Sequence, residues 1–115
     1  MKAENRIQQE CIQWFRNAYC RVGCSPRCCI FSVPNETKDM RELMTKKQTG
    51  LMAGASDLVV VGHGVVLFLE CKDDKGRQSE MQKKFEKTVG DLGHVYEVFR
   101  SLDEFQTIIN RSLFN

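Results

Sequence analysis

The 115-residue chain has only two prolines, one tryptophan and two histidines. Its longest uninterrupted apolar runs, Leu58–Val61 and Val65–Leu69, are far too short to span a bilayer. No apolar stretch follows the polar start Met1-Lys-Ala-Glu-Asn-Arg6, so an export signal is not expected. The six cysteines therefore read as reduced thiols rather than as a disulfide framework. There is no internal repeat, no low-complexity tract and no Pro/Gly-rich linker, and the length suits one domain, residues 1–115, with one core. With 42% hydrophobic and 28% charged residues, a disordered chain is excluded. The formal net charge of +2 neither demands nor rules out nucleic acid; the positions of the charges decide that.

Helical spacing groups Ile7, Cys11, Trp14, Phe15, Ala18, Tyr19 and Val22 on one face, with Gly23 and Ser25-Pro26 ending the helix. A short strand over 28–33 follows and stops at Pro34-Asn35. Residues 38–49 are polar and basic, and only Met40, Leu43 and Met44 hint at a short amphipathic turn. Two β-branched runs, 57–62 and 65–72, flank Gly62-His63-Gly64 and predict a hairpin covered on both faces. Ser79 with Gln82, and Ser101 with Glu104, have capping-box spacing. They open helices with Met81, Phe85, Val89 and Leu92 inward in the first, and Leu102, Phe105, Ile108, Ile109 and Leu113 in the second. Between them, 95–99 reads as a strand parallel to 65–72. The expectation is an α/β domain with a mixed sheet flanked by helices.

Chemistry concentrates at the open end of the hairpin. Glu70 and Lys72 are two apart and share a face, while Cys71 points to the other. Carrying the pairing back from Gly62 opposite Val65 sets Asp57 opposite Glu70. Two carboxylates side by side in a partly dry site repel each other unless a cation lies between them. Such hard oxygen donors suit Mg²⁺ or Mn²⁺, with water and phosphate completing the shell. Lys72 is then placed to orient an attacking water or steady charge developing on a phosphate. The plainer alternative makes Asp57 and Glu70 ordinary strand-end residues with Lys72 as their ion-pair partner.

Asp57 followed by Glu70-x-Lys72 on the next strand, in αβββαβ order, resembles the PD-(D/E)XK nuclease superfamily and, more narrowly, the virus-type replication–repair nuclease (VRR-NUC) domain. The matching features are Glu4-x-x-Ile7-Gln8, Pro34-Asn35-Glu36, Gly54-Ala-Ser-Asp57-Leu, Phe68-Leu-Glu70-Cys-Lys72, Lys75-Gly76-Arg77 and Gln82, spread from Glu4 to about Phe105. The resemblance implies a restriction-endonuclease-like fold and metal-dependent hydrolysis of DNA phosphodiesters, selective for Holliday junctions or flap-like branches in replication, repair or recombination. It further implies that Asp57, Glu70 and the Cys71 backbone carbonyl hold Mg²⁺ or Mn²⁺ and that Lys72 positions the water. Gln82 would support Lys72 or the substrate, and Glu4 would approach the metal from the first helix. Capping alone also accounts for Gln82, and a charge near a helix N-terminus for Glu4.

Lys75 and Arg77 lie beside Lys72 and are the better candidates for phosphate contacts; Lys46 and Lys47 would sit on a flexible arm over DNA. Both groups also read as solvated faces. Cys20, Cys24, Cys28 and Cys29 are close enough in sequence for zinc, yet no His is near and Cys28 and Cys29 should diverge on a strand. Core packing is the simpler role for cysteine here, and for Cys11 and Cys71. One site per chain predicts a homodimer for paired cuts. The other readings are a catalytically silent DNA-binding module or a zinc-stabilised interaction module. No membrane or small-molecule cofactor is expected, and the expected location is cytoplasmic, in the host cytoplasm if phage-encoded.

Overall fold

The computed structural model describes residues 2–19, 28–34 and 39–113. Their order is α1 (Ala3–Ala18), β1 (Cys29–Ser32), α2 (Met40–Gln48), β2 (Leu58–Gly62), β3 (Val65–Cys71), α3 (Glu80–Asp91), β4 (Val95–Phe99) and α4 (Leu102–Leu113). The β-branched runs pair as the turn chemistry requires, with Gly62 opposite Val65 and Leu58 opposite Leu69. That register is the one that brings Asp57 level with Glu70. β1 adds antiparallel to β2, and β4 runs parallel to β3 after the α3 crossover, giving a mixed sheet ordered β1-β2-β3-β4.

Alternation sorts the hairpin side chains between two layers. Leu58, Val60, Leu67, Leu69 and Cys71 pack into one buried core with Cys11 and Phe15 of α1 and Phe105, Ile108 and Ile109 of α4. Phe105 meets Phe99 edge-on at 5.1 Å and Trp14 at 6.0 Å. On the opposite face Phe68 meets Phe85 of α3 at 5.4 Å, and Phe85 meets Tyr96 at 6.0 Å. Helices therefore cover both faces of the α/β sheet. No helix among the described residues is long and apolar enough to cross a membrane.

Several sequence expectations need correction. α1 begins at Ala3 and is capped at Tyr19; Val22, Gly23 and Ser25-Pro26 lie outside the described residues. The stretch around 40–48 is a helix, not a loose arm. Asp39 accepts from the N–H groups of Arg41 and Glu42, and Lys46 pairs with Glu42 at 3.0 Å one turn apart. These local bonds hold α2 although it buries no residue, and Met40 and Met44 are 68% and 61% exposed. In α3 only Phe85 and Val89 pack inward, because Met81 and Leu92 are 45% and 70% exposed. The hairpin tip also emerges from cover at Val61. Both capping boxes start helices, but with a difference. Ser79 and Gln82 cap reciprocally, whereas the Glu104 carboxylate accepts from Arg100 N–H at 2.8 Å while its own N–H donates to Ser101.

Phe105 is fully buried where α1, α4 and β4 meet. Phe105→Ala should destabilise the fold by roughly 3–5 kcal/mol in urea unfolding with little change in the denaturant slope.

Candidate active site

The candidate site forms where β3 runs past the last paired residue of β2. Cys71 N–H donates to Asp57 Oδ2 at 2.8 Å, so a side chain continues the ladder beyond the backbone pairs. In an extended strand a residue's N–H and C=O point to the same side, so the Cys71 carbonyl also faces Asp57. The next amide turns the other way: Lys72 N–H donates to the Phe99 carbonyl at 3.0 Å. From the far side, Val33 N–H donates to the Asp57 carbonyl at 2.8 Å. Asp57 is thus fastened by both neighbouring strands.

Two further contacts bring helices to this edge. The Cys71 thiol, on the core face, donates to the Glu4 carbonyl at 3.3 Å and pins the first turn of α1. Gly54 has φ +86° and lies directly against the Met81 carbonyl and the Gln82 N–H, where any Cβ would collide with backbone. The loop before Asp57 therefore rests on the first turn of α3.

The result is a cavity of about 500 Å³ lined by Glu4, Asp57, Glu70, Lys72 and Gln82. Of the site residues expected from sequence, Asp57, Glu70, Lys72, Gln82 and Glu4 line this one cavity, whereas Cys71 does not line it and meets the site only through its backbone. Gln82 both caps and lines: its Oε1 accepts from Ser79 N–H at 2.8 Å, which leaves both Nε2 donors and one Oε1 lone pair free. Asn5 and Ser32 also line the cavity and were not expected. The spacing of Asn5 and Gln8 on α1, beside Glu4, was the available signal.

Glu70 is the anomaly. It is 3% exposed, and its Oε1 is buried without a hydrogen-bond partner. Burial holds its carboxyl well above the ordinary carboxylate range; the hydrogen bond to Asp57 and that residue's charge push the same way, and Lys72 only partly offsets them. Among the described residues Lys72 makes no ion pair with either carboxylate, which removes the plain ion-pair explanation. Cys11 and Cys71 are buried in the core, and burial pushes both thiols up to about 12. Both sit in the core, as expected, although the Cys71 thiol and amide also hold Glu4 and Asp57.

Two solved structures share this architecture. One, described as a VRR_NUC domain protein, superposes with a TM-score of 0.72 over 96% of this chain and 88% of its own, at 20% identity. Another, described as a VRR_NUC domain, gives 0.65 over 97% and 99%, at 18% identity. This chain has the VRR-NUC fold. Its sequence matches no family model and no curated protein, so the likeness lies in the fold.

Around the VRR-NUC core, the basic residues differ in setting. Lys75 and Arg77 are exposed on a loop beside Lys72. That loop is built rather than slack: Asp73 Oδ1 accepts from Lys75 N–H at 3.0 Å and Gly76 N–H at 2.6 Å. Arg100 Nη1 then donates to the Asp73 and Gly76 carbonyls at 2.6 and 2.8 Å. Nothing in the local sequence marked Arg100 for that task. Lys46 lines an adjoining depression that shares Val33, Pro34 and Ala55 with the main cavity, while Lys47 is exposed on α2. Of the cysteines weighed for zinc, Cys20 and Cys24 lie outside the described residues, Cys28 is buried and Cys29 half-buried. Among the described residues no three His, Cys, Asp or Glu side chains gather as a metal-holding set.

The raised Glu70 carboxyl has a stability signature. Between the unfolded and folded values the native state binds the extra proton, so metal-free stability falls as pH rises through that window. Glu70→Gln should remove this loss, leaving the variant more stable than the parent at pH 8 but not at pH 4, by at most about 1.4 kcal/mol per pH unit between. Urea unfolding in chelator at both pH values measures it.

Proposed function

We propose that this chain is a divalent-metal-dependent nuclease that hydrolyses DNA phosphodiester bonds, preferring branched molecules such as four-way junctions or flaps. The observation that carries this reading is the buried, unpartnered Glu70 Oε1 beside Asp57 and Lys72 in one cavity of a VRR-NUC fold. A structural role does not explain a dry carboxyl oxygen that has no donor, because such a group costs stability.

The donor set fits a hard cation. Asp57 and Glu70 offer acceptor oxygens, the Cys71 carbonyl faces the same side, and Mg²⁺ commonly takes one or two carboxylates with water and phosphate filling the rest. Asp57, Glu70 and the Cys71 carbonyl would hold Mg²⁺ or Mn²⁺, with Glu4 reaching it through water. When bound, the ion supplies Lewis-acid charge beside a phosphoryl oxygen. The protein groups do the rest. Lys72 holds the attacking water in line and offsets negative charge on the reacting phosphate. Gln82, through its free Nε2 donors, binds a non-bridging phosphate oxygen. Lys75 and Arg77 grip phosphates flanking the cut from a loop braced by Arg100; Lys46 and Lys47 contact the duplex further out. Since each chain carries one cavity, symmetric cutting of a junction calls for a homodimer, and the exposed Phe31 and Val61 offer apolar surface for it.

Linear, nicked, flapped and four-way substrates assayed with Mg²⁺ and Mn²⁺ test the reading. Asp57→Asn and Lys72→Ala should each reduce cleavage about 100-fold or more while folding and DNA binding persist. Gln82→Glu keeps an acceptor for the Ser79 cap but loses the donors, so it should raise KM without unfolding α3. Full activity in the Asp57 or Lys72 variant overturns the mechanism. Binding without cleavage on every substrate favours a silent DNA-binding module, and unfolding by chelator favours the zinc-stabilised one.

A further inference from the structure

The carboxylate cavity does not end at Glu4. Asn5 and Gln8 line it and also line a second depression of about 440 Å³, which runs along α1 over Gln9, Ile12 and Gln13 to Arg16. Those residues alternate steps of three and one, so they form a single stripe down one face of the helix. At 1.5 Å per residue the stripe is about 16 Å long, roughly the axial length of four to five stacked nucleotides.

Its composition is selective. α1 carries two carboxylates, Glu4 and Glu10. Glu4 stands at the cavity end and Glu10 lies off the stripe, so no anion lines the depression. What remains is carboxamide, one aliphatic side chain and a guanidinium at the far end. Carboxamides both donate and accept, and so suit base edges, sugar oxygens and phosphates alike. A stretch meant only for solvent has no need to exclude carboxylate, whereas a stretch that meets a polyanion does.

We propose that this amide stripe is the track along which the substrate strand leaves the scissile phosphate, gripped by uncharged hydrogen bonds. The proposal rests on the nuclease reading and adds the path of the strand and the chemistry that holds it. It divides binding into two parts. The cationic loop at Lys75 and Arg77 displaces counterions and makes affinity salt-dependent, whereas the carboxamides of the stripe contribute a salt-independent share.

The test uses the double variant Gln9→Ala, Gln13→Ala, at exposed positions outside the carboxylate cavity where alanine favours the helix. Bis(4-nitrophenyl) phosphate with Mn²⁺ reports the cavity alone; a flapped oligonucleotide at 50 and 200 mM salt reports cavity plus track. The expected result is an unchanged rate on the small diester and a KM for the oligonucleotide raised ~10-fold at both salt concentrations. Lys75→Ala with Arg77→Ala should instead flatten the salt slope by about one to two. An oligonucleotide KM within twofold of the parent, or a flattened salt slope in the glutamine variant, overturns the track. Should the parent protein cleave neither substrate, the nuclease reading fails by itself. Fluorescence anisotropy with the same oligonucleotide then decides the track: a ~10-fold weaker Kd in the double variant supports it, and an equal Kd overturns it.

Discussion

The site hangs on Cys71. Its amide holds Asp57 at 2.8 Å, its thiol holds the Glu4 carbonyl at 3.3 Å, and its side chain packs in the core between the sheet and the helices. Because alternate residues of a strand face opposite ways, anchoring Cys71 inward aims Glu70 and Lys72 to the other face. One residue thus ties the end of β3 to β2, to α1 and to the core. The two carboxylates, the ammonium of Lys72 and the first turn of α1 keep fixed relative positions because they share that anchor.

What the anchor enforces is unfavourable locally. Glu70 is drawn into a dry position where no donor reaches Oε1, beside a second acid and without an ion pair to Lys72. Elsewhere the fold is conventional: aromatic and aliphatic side chains fill the core, and the ion pairs among the described residues lie on the surface between neighbouring turns or between β4 and α4. Besides Glu70 Oε1, the Tyr96 hydroxyl is buried without a partner, but only Glu70 lines the cavity, where the proposed cation would relieve it. The surroundings support the same geometry. Gly54 permits the loop before Asp57 to lie on α3, and Arg100 braces the loop that follows Lys72.

Much of this was legible in sequence where one period dominated. The hairpin register followed from Gly62-His63-Gly64 and alternation, and it set Asp57 beside Glu70 because a pleated ladder leaves no other choice once the turn is given. The Ser79 cap was equally local. Failures came where the deciding contact was either very short in range or very long. α2 stands on the Asp39 cap and the Glu42–Lys46 pair without burying a residue, so hydrophobic spacing could not reveal it. Met81 and Leu92 have the spacing of an inward face, but α3 covers the sheet only through its middle.

By itself the sequence determined the order of elements around the hairpin, the pairing of β2 with β3 and the identity of the acids and the lysine at its open end. Those depend on dihedral preferences and side-chain alternation, which act over a few residues. Only the tertiary structure decided that Asn5 and Gln8 of α1 border the cavity to which the resemblance had assigned Glu4 and Gln82. It alone decided that Arg100, just past the end of the neighbouring strand β4, braces the loop, and that Glu70 is left dry. Each of these joins residues tens of positions apart, and burial belongs to packed layers rather than to any segment, so no local period encodes it.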